Sequence, residues 1–92
     1  MKLSEVVASL SKFDREDTIY ATEPWTADSE VMVMREPDAG GVPQAAAKQG
    51  MTYFIEIFIA RDFLDGWQQN EKQPLSLEEQ CAGLIHYAIY DA

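Results

Sequence analysis

Apolar positions recur at helical spacing near both ends of the chain. Between Leu3 and Phe13 they fall three or four residues apart, which predicts an amphipathic helix. A final helix is predicted to begin at Leu77, because Ser76 and Glu79 have the spacing of a capping box. The apolar stripe of this last helix indicates the side that faces the core, and it comprises Leu77, Cys81, Leu84, Ile85 and Ala88.

Three segments between these helices have the composition of β-strands. Thr18 to Ala21 and Val31 to Arg35 are short β-prone runs. Met51 to Ile59 is the strongest candidate, because it is rich in β-branched and aromatic residues and lacks Gly and Pro. Both of its faces are mostly apolar, which is typical of a central strand covered on both sides. Regular alternation would place Tyr53, Ile55, Ile57 and Ile59 on one face and Thr52, Phe54, Glu56 and Phe58 on the other.

The remaining segments are predicted to be loops and one short helix. Glu36 to Gly50 contains two prolines and three glycines, and we expect a long disordered loop with at most one helical turn at Ala45 to Ala47. A short helix is expected from Asp62, weakened by Gly66, and a linker from Asn70 to Leu75 follows it. The apolar side chains of this short helix are Phe63, Leu64 and Trp67.

These elements predict one α+β domain covering residues 1–92, with the order α-β-β-β-α-α. Three adjacent strands joined by loops favour a three-stranded antiparallel meander, with the helices packed on one face.

The charge balance excludes two classes of partner. Sixteen acidic residues against seven basic ones give a formal net charge of −9. This argues against nucleic acid, which is bound through clustered Lys and Arg, and against anionic membranes. A basic protein partner remains possible, and so does a simple contribution to solubility.

Cysteine usage and hydropathy favour a cytoplasmic protein. The single cysteine, Cys81, excludes an internal disulfide and suits a reducing compartment. No apolar run resembling a signal peptide follows Met1. The longest nearly apolar run, from Met51 to Ala60, is too short to span a membrane.

The residues needed for catalysis or metal binding do not occur in any known arrangement. The only histidine, His86, and Cys81 would lie about 140° apart around the last helix, so they cannot form a nucleophile–base pair there. One His and one Cys also exclude the usual zinc ligand sets, and no phosphate-binding or dinucleotide-binding motif is present. We therefore expect no catalytic residue, no cofactor and no metal site.

Glu56 is the most unusual charge, because it lies between apolar residues of the strongest strand. It could be an acid or base with a raised pKa. It could equally pair with Arg35 or Arg61, or lie near an open face of the sheet.

Two surfaces are candidate sites for a protein partner. The back of the last helix carries Ala82, Gly83, His86 and Tyr90, small and amphipathic residues of the kind that permit close contact, unless another helix covers them. The second candidate is a sheet face, unless loops or the second helix bury it. Its residues would be Met32, Met34, Phe54 and Phe58, joined by Trp25.

Short motifs distributed along the chain resemble those of small uncharacterised bacterial proteins classed as domains of unknown function. They are Glu23-Pro24-Trp25, Tyr53 to Glu56, and Leu84 to Ala88 with the ending Asp91-Ala92. The resemblance implies a bacterial or phage origin and no known activity.

The hypothesis that follows is a non-catalytic interaction protein that forms a homodimer or binds another protein. A sharper version is an inhibitor of a basic target, which would use the acidic residues between Asp14 and Glu30. The alternative is a small enzyme or ligand-binding protein centred on Glu56 and His86, which requires these two residues to share a pocket.

Overall fold

An antiparallel sheet with its longer helices on one face forms the body of the protein, and the computed structural model describes residues 1–91. The α+β class and the three-stranded antiparallel sheet agree with the prediction. The elements are α1 (Leu3–Ala8), a short 3-10 turn (Leu10–Lys12), β1 (Asp17–Thr22), β2 (Val31–Arg35), α2 (Gln44–Ala47), β3 (Met51–Glu56), α3 (Ile57–Gln69) and α4 (Leu77–Tyr90).

The strands are arranged in the order β2-β1-β3, so β1 is the central strand. A simple meander would place β2 in the centre, and the sequence indicated β3 as the strand covered on both sides. The difference arises because the segment from Glu36 to Gly50 crosses β1 before the chain returns as β3. The central position of β1 explains why Thr18 to Ala21 are all buried.

A β-bulge at Phe54 changes which side chains of β3 face the helices. Ile19 pairs with Ile55, whereas the next residue, Tyr20, pairs with Tyr53, so Phe54 is the additional residue. Phe54 and Ile55 therefore both enter the main core, where they are 1% and 0% exposed. The predicted alternation along this strand was wrong from this point on.

The chain turns from strand to helix earlier than its composition predicts. β3 ends at Glu56 and α3 begins at Ile57, within the segment expected to be extended as far as Ile59. Burial explains this boundary, because Ile57, Ala60 and Leu64 lie at helical spacing and are all buried. Tertiary packing has overridden the β-propensity of the β-branched residues.

The helices on the inner face enclose one hydrophobic core with the sheet. α1 is shorter than predicted, ending at Ala8. The capping box of α4 is confirmed: the amide of Glu79 donates to Ser76 Oγ at 3.0 Å, and the amide of Ser76 donates to Glu79 Oε1 at 3.0 Å. These hydrogen bonds lower the pKa of Glu79. Of the predicted stripe, Cys81 and Leu84 are buried, whereas Leu77 is 40% exposed because it lies in the first turn.

The segment from Glu36 to Gly50 was expected to be disordered, but it folds over the second face of the sheet. Its helical turn, α2, buries Ala46 against Tyr20 of the central strand. The rest of this smaller cluster consists of Met51, with Met32, Met34 and Val42 half-buried around it. One short helix and its loop thus cover the side that α1, α3 and α4 leave open.

Candidate functional site

An open groove of about 620 Å³ lies between α3 and α4, and its lining residues are exposed or half-buried. We call it the aromatic groove. Helix α3 contributes one wall and α4 contributes the other. Its lining residues are Asp62, Phe63, Gly66, Trp67, Asn70, Gly83, His86, Tyr87 and Asp91.

The floor of the aromatic groove is a close contact between Trp67 and Gly83. A Cβ atom placed on Gly83 would lie 2.8 Å from Cη2 of the Trp67 ring, which is too close for a real side chain. The indole is held from its other end, because Nε1 donates a hydrogen bond to Glu71 Oε1 at 3.0 Å. The absence of a side chain on Gly83 therefore allows the indole to lie against α4.

Stacked rings from both helices extend this floor. Phe63 and Tyr87 have ring centroids 4.4 Å apart and planes 23° apart, and the Phe63 ring lies 6.0 Å from that of Trp67. Further along α4, the ring of His86 lies 4.7 Å from that of Tyr90, whose side chain is 71% exposed. Aromatic pairs of this kind present rigid contact area at little cost in side-chain entropy.

Two acidic residues line the aromatic groove. Asp62 and Asp91 contribute carboxylates from opposite helices, and no Lys or Arg lines the groove in the described part of the chain. One of the two N–H groups of the Asn70 amide donates to the carbonyl oxygen of Gly66 at 3.1 Å. Neither carboxylate forms an ion pair within residues 1–91. The groove is therefore suited to a ligand that carries donors and positive charge.

A family model described as Domain of unknown function (DUF7716) matches residues 1–92. The chain belongs to the DUF7716 family. This confirms the resemblance to uncharacterised single-domain proteins that the short motifs indicated. Comparison with curated proteins gave no match, and comparison with solved structures gave none.

The residues predicted on the back of the last helix are partly assembled at the aromatic groove of this DUF7716 domain. His86 and Gly83 line it, and the Tyr90 ring lies tilted against that of His86. Ala82 is exposed on the same helix but does not line the groove. The covering helix that the sequence left as an alternative is α3, which closes over Gly83 alone through Trp67.

The predicted Met and Phe surface on the sheet is not formed, because the structure separates its members. Met32 and Met34 lie on the face covered by α2, whereas Phe54 lies on the opposite face in the main core. Phe54 is only 1% exposed, so it offers no surface to a partner. Trp25 packs against Phe54, with ring centroids 4.8 Å apart, and Phe58 belongs to α3, where Arg15 lies 5.8 Å from its ring centroid.

Glu56 lies on the side of the sheet away from the aromatic groove. It pairs with Thr18 at the end of β3 and neighbours Tyr53 on the face that carries Tyr20. Burial, followed by the Glu56 carboxylate, raises the pKa of Tyr53 to about 12. His86 lines the groove between α3 and α4, so the structure does not place Glu56 and His86 in one pocket.

Two further properties of the described residues concern metals and membranes. Residues 1–91 contain no group of three or more His, Cys, Asp or Glu side chains placed to hold a metal ion. None of the helices in this range is long and apolar enough to cross a membrane.

Burial raises the pKa of the Cys81 thiol, which is 1% exposed. That thiol therefore packs as a small apolar side chain.

Sequence reasoning missed most of the aromatic groove. Phe63 and Trp67 were recognised as apolar residues of a short helix, and their spacing of one helical turn was the signal that they share a face. Their apposition to α4 depends on how the two helices cross, which no local pattern specifies. The lining residues not anticipated as a site are Asp62, Phe63, Gly66, Trp67, Asn70, Tyr87 and Asp91.

Proposed function

We propose that this domain is a non-catalytic cytoplasmic module that binds a positively charged protein through the aromatic groove. The observation that supports this most directly is the composition of the groove, an open floor and wall of aromatic rings flanked by the carboxylates of Asp62 and Asp91. Aromatic residues are enriched in protein interfaces, where they supply most of the binding free energy. The carboxylates define the charge of the partner.

The net charge of the whole chain also favours a basic partner. A net charge of −9 attracts a basic partner over several ångströms and raises its association rate at low ionic strength. The acidic stretch from Asp14 to Glu30 is less suited to contact the partner, because much of its charge is already paired. Asp14 and Asp17 bind Arg35, Asp28 binds Lys2, and Glu30 binds the N-terminal amine.

A homodimer is the other form of an interaction protein, and Ile89 and Tyr90 favour it, since they are 55% and 71% exposed on α4. In a two-fold dimer through this helix, however, the same surface meets itself. Asp91 of each copy would then be brought towards acidic residues of the other, which repel it. A basic partner is therefore the better match for this surface.

The catalytic alternative has less support. General acid–base catalysis needs its groups within hydrogen-bond reach of one substrate. Glu56 neighbours Tyr53 on one side of the sheet, whereas His86 lines the groove on the far side of the helices.

Gly66 provides a direct test, because it is exposed in the middle of α3 and lines the aromatic groove. A Cβ atom at this position would meet no atom within 4 Å. Gly66→Lys should therefore fold normally and place a long, positively charged side chain in the groove. The matched control is Gln69→Lys, which adds the same charge to an exposed position of the same helix outside the groove.

The experiment is affinity capture from a lysate of the source organism with the tagged wild type and both variants, eluted with stepped salt. We expect a basic protein in stoichiometric amount with the wild type and with Gln69→Lys, and its loss with Gly66→Lys. Equal capture by both variants would refute the groove as the binding site. If light scattering instead gives twice the mass of one chain for the wild type, and the mass of one chain for Gly66→Lys, the groove is a homodimer interface and not a site for a basic partner.

A further inference from the structure

We propose that the aromatic groove recognises an arginine side chain of its partner. This inference rests on the proposed function and names the chemical group that enters the site. The occupant would be an exposed arginine in a basic segment, with its guanidinium against the aromatic rings and its N–H groups directed to Asp62 and Asp91.

The two carboxylates of the groove favour a group that donates hydrogen bonds and carries positive charge. The Trp67 indole N–H is already bonded to Glu71, and one of the two N–H groups of the Asn70 amide is bonded to the Gly66 carbonyl oxygen. The side-chain oxygen of Asn70 and the two aspartate carboxylates remain as acceptors in the described hydrogen-bond network. A guanidinium has several N–H donors and no acceptor, so it complements the two carboxylates.

The aromatic rings favour arginine over lysine. Phe63, Trp67 and Tyr87 form a continuous group of rings with centroid separations of 4.4 and 6.0 Å. A planar guanidinium stacks on such rings and is weakly hydrated, whereas an ammonium is a strongly hydrated point charge. The groove also leaves room for the side chain, because Gly66 on its wall carries no side chain and is exposed.

The charges are free to act on a ligand. The ion pairs of residues 1–91 involve Met1, Lys2 and Arg35 with acids elsewhere on the surface, and none of them includes Asp62 or Asp91. Arg61 and Asp65 line a separate small cavity beside Arg15, to which Asp62 also contributes. Within residues 1–91, Asp62 and Asp91 therefore remain available to pair with a positive charge from the partner.

The test is an NMR titration of the ¹⁵N-labelled protein at low salt with three blocked tripeptides, acetyl-Gly-X-Gly-amide. X is arginine, lysine, or citrulline, which has nearly the shape of arginine but no charge. The two indole N–H signals supply an internal control, because Trp67 lines the groove and Trp25 packs in the core against Phe54. We expect the arginine peptide to shift the Trp67 signal, to leave the Trp25 signal in place, and to bind about tenfold more tightly than the citrulline peptide.

A double variant, Asp62→Asn with Asp91→Asn, should weaken arginine binding about tenfold and reduce its dependence on salt. Its control is Glu16→Gln with Asp38→Asn, which removes two negative charges at exposed positions outside the groove. Equal affinity for arginine and citrulline, equal or tighter binding of the lysine peptide, or an equal loss in the control variant would overturn the inference. The proposed function would still stand in that case if Gly66→Lys alone abolished capture of the partner.

Discussion

The indole of Trp67 lies directly against Gly83 and joins α3 to α4 at the base of the aromatic groove. No β-carbon fits between them, since the space is occupied by the far edge of the ring. The ring is fixed at its other end by the hydrogen bond from Nε1 to Glu71 Oε1. Stability and the shape of the candidate site therefore depend on the same contact.

Gly83→Ala should destabilise the protein by about 1–2 kcal/mol, because overpacking outweighs the gain from replacing glycine in a helix. The measurement is chemical denaturation followed by circular dichroism. Displacement of the indole should also change the tryptophan fluorescence of the folded state. Unchanged stability together with unchanged fluorescence would contradict the contact.

Gly66→Ala is the matched control for this prediction. It makes the same substitution in α3, at a position where the added β-carbon meets no atom within 4 Å. It should stabilise the protein by about 0.5–1 kcal/mol through helix propensity alone. A loss of stability from Gly83→Ala and a gain from Gly66→Ala would distinguish the contact with Trp67 from a general effect of replacing glycine in a helix.

Phe54→Ala should lower the free energy of unfolding by about 3–5 kcal/mol, because Phe54 is 1% exposed and packs edge-to-face on Trp25. A loss of this size can unfold a domain whose total stability is about 5–15 kcal/mol, so Phe54→Leu serves as the milder variant. Phe58→Ala is the comparison, since Phe58 is only half-buried beneath Arg15. A smaller effect at Phe54 than at Phe58 would contradict the placement of β3 around its bulge.

The capping box of α4 predicts an acid-dependent loss of stability. Because the native hydrogen bonds with Ser76 lower the pKa of Glu79 below the ordinary value of 4.5, the carboxylate stabilises the native state above that value. This stabilisation is lost as the pH falls through the lowered pKa of the native state. Glu79→Gln keeps a hydrogen-bond acceptor without a titrating group, and it should reduce the difference between the melting temperatures at pH 7 and in acid. An unchanged difference would refute the prediction.

The Tyr53 hydroxyl should titrate at a higher pH than that of an ordinary tyrosine. Burial and the Glu56 carboxylate raise its pKa from 10.0 to about 12, so it stabilises the native state below pH 10 and this contribution is lost as the pH rises through 12. Ultraviolet difference absorption of the folded protein should contain a late phenolate step that Tyr53→Phe removes. Glu56→Gln should move this step to lower pH, and loss of a step near pH 10 in Tyr53→Phe, with the late step retained, would contradict the assignment.

Sequence predictions were correct where they depended on neighbouring residues and failed where they depended on contacts between distant residues. The capping box at Ser76 needs only the spacing of two polar side chains, and it was identified correctly at a single position. The boundary at Glu56 was misplaced because the β-branched residues after it favour a strand locally, while their burial at helical spacing favours a helix. Of the residues that line the candidate site, only Gly83 and His86 on α4 were anticipated, and Tyr90 lies beside His86.

By itself, the sequence determined the properties that depend on composition and on neighbouring residues: an acidic α+β domain, its final helix, and a family membership without a described activity. Only the tertiary structure decided that β1 is central, that Phe54 turns inwards, and that Trp67 meets Gly83. These features join residues that are distant along the chain, and their geometry depends on how whole elements pack. Many arrangements satisfy the same local pattern, and the packing of the complete core selects one of them.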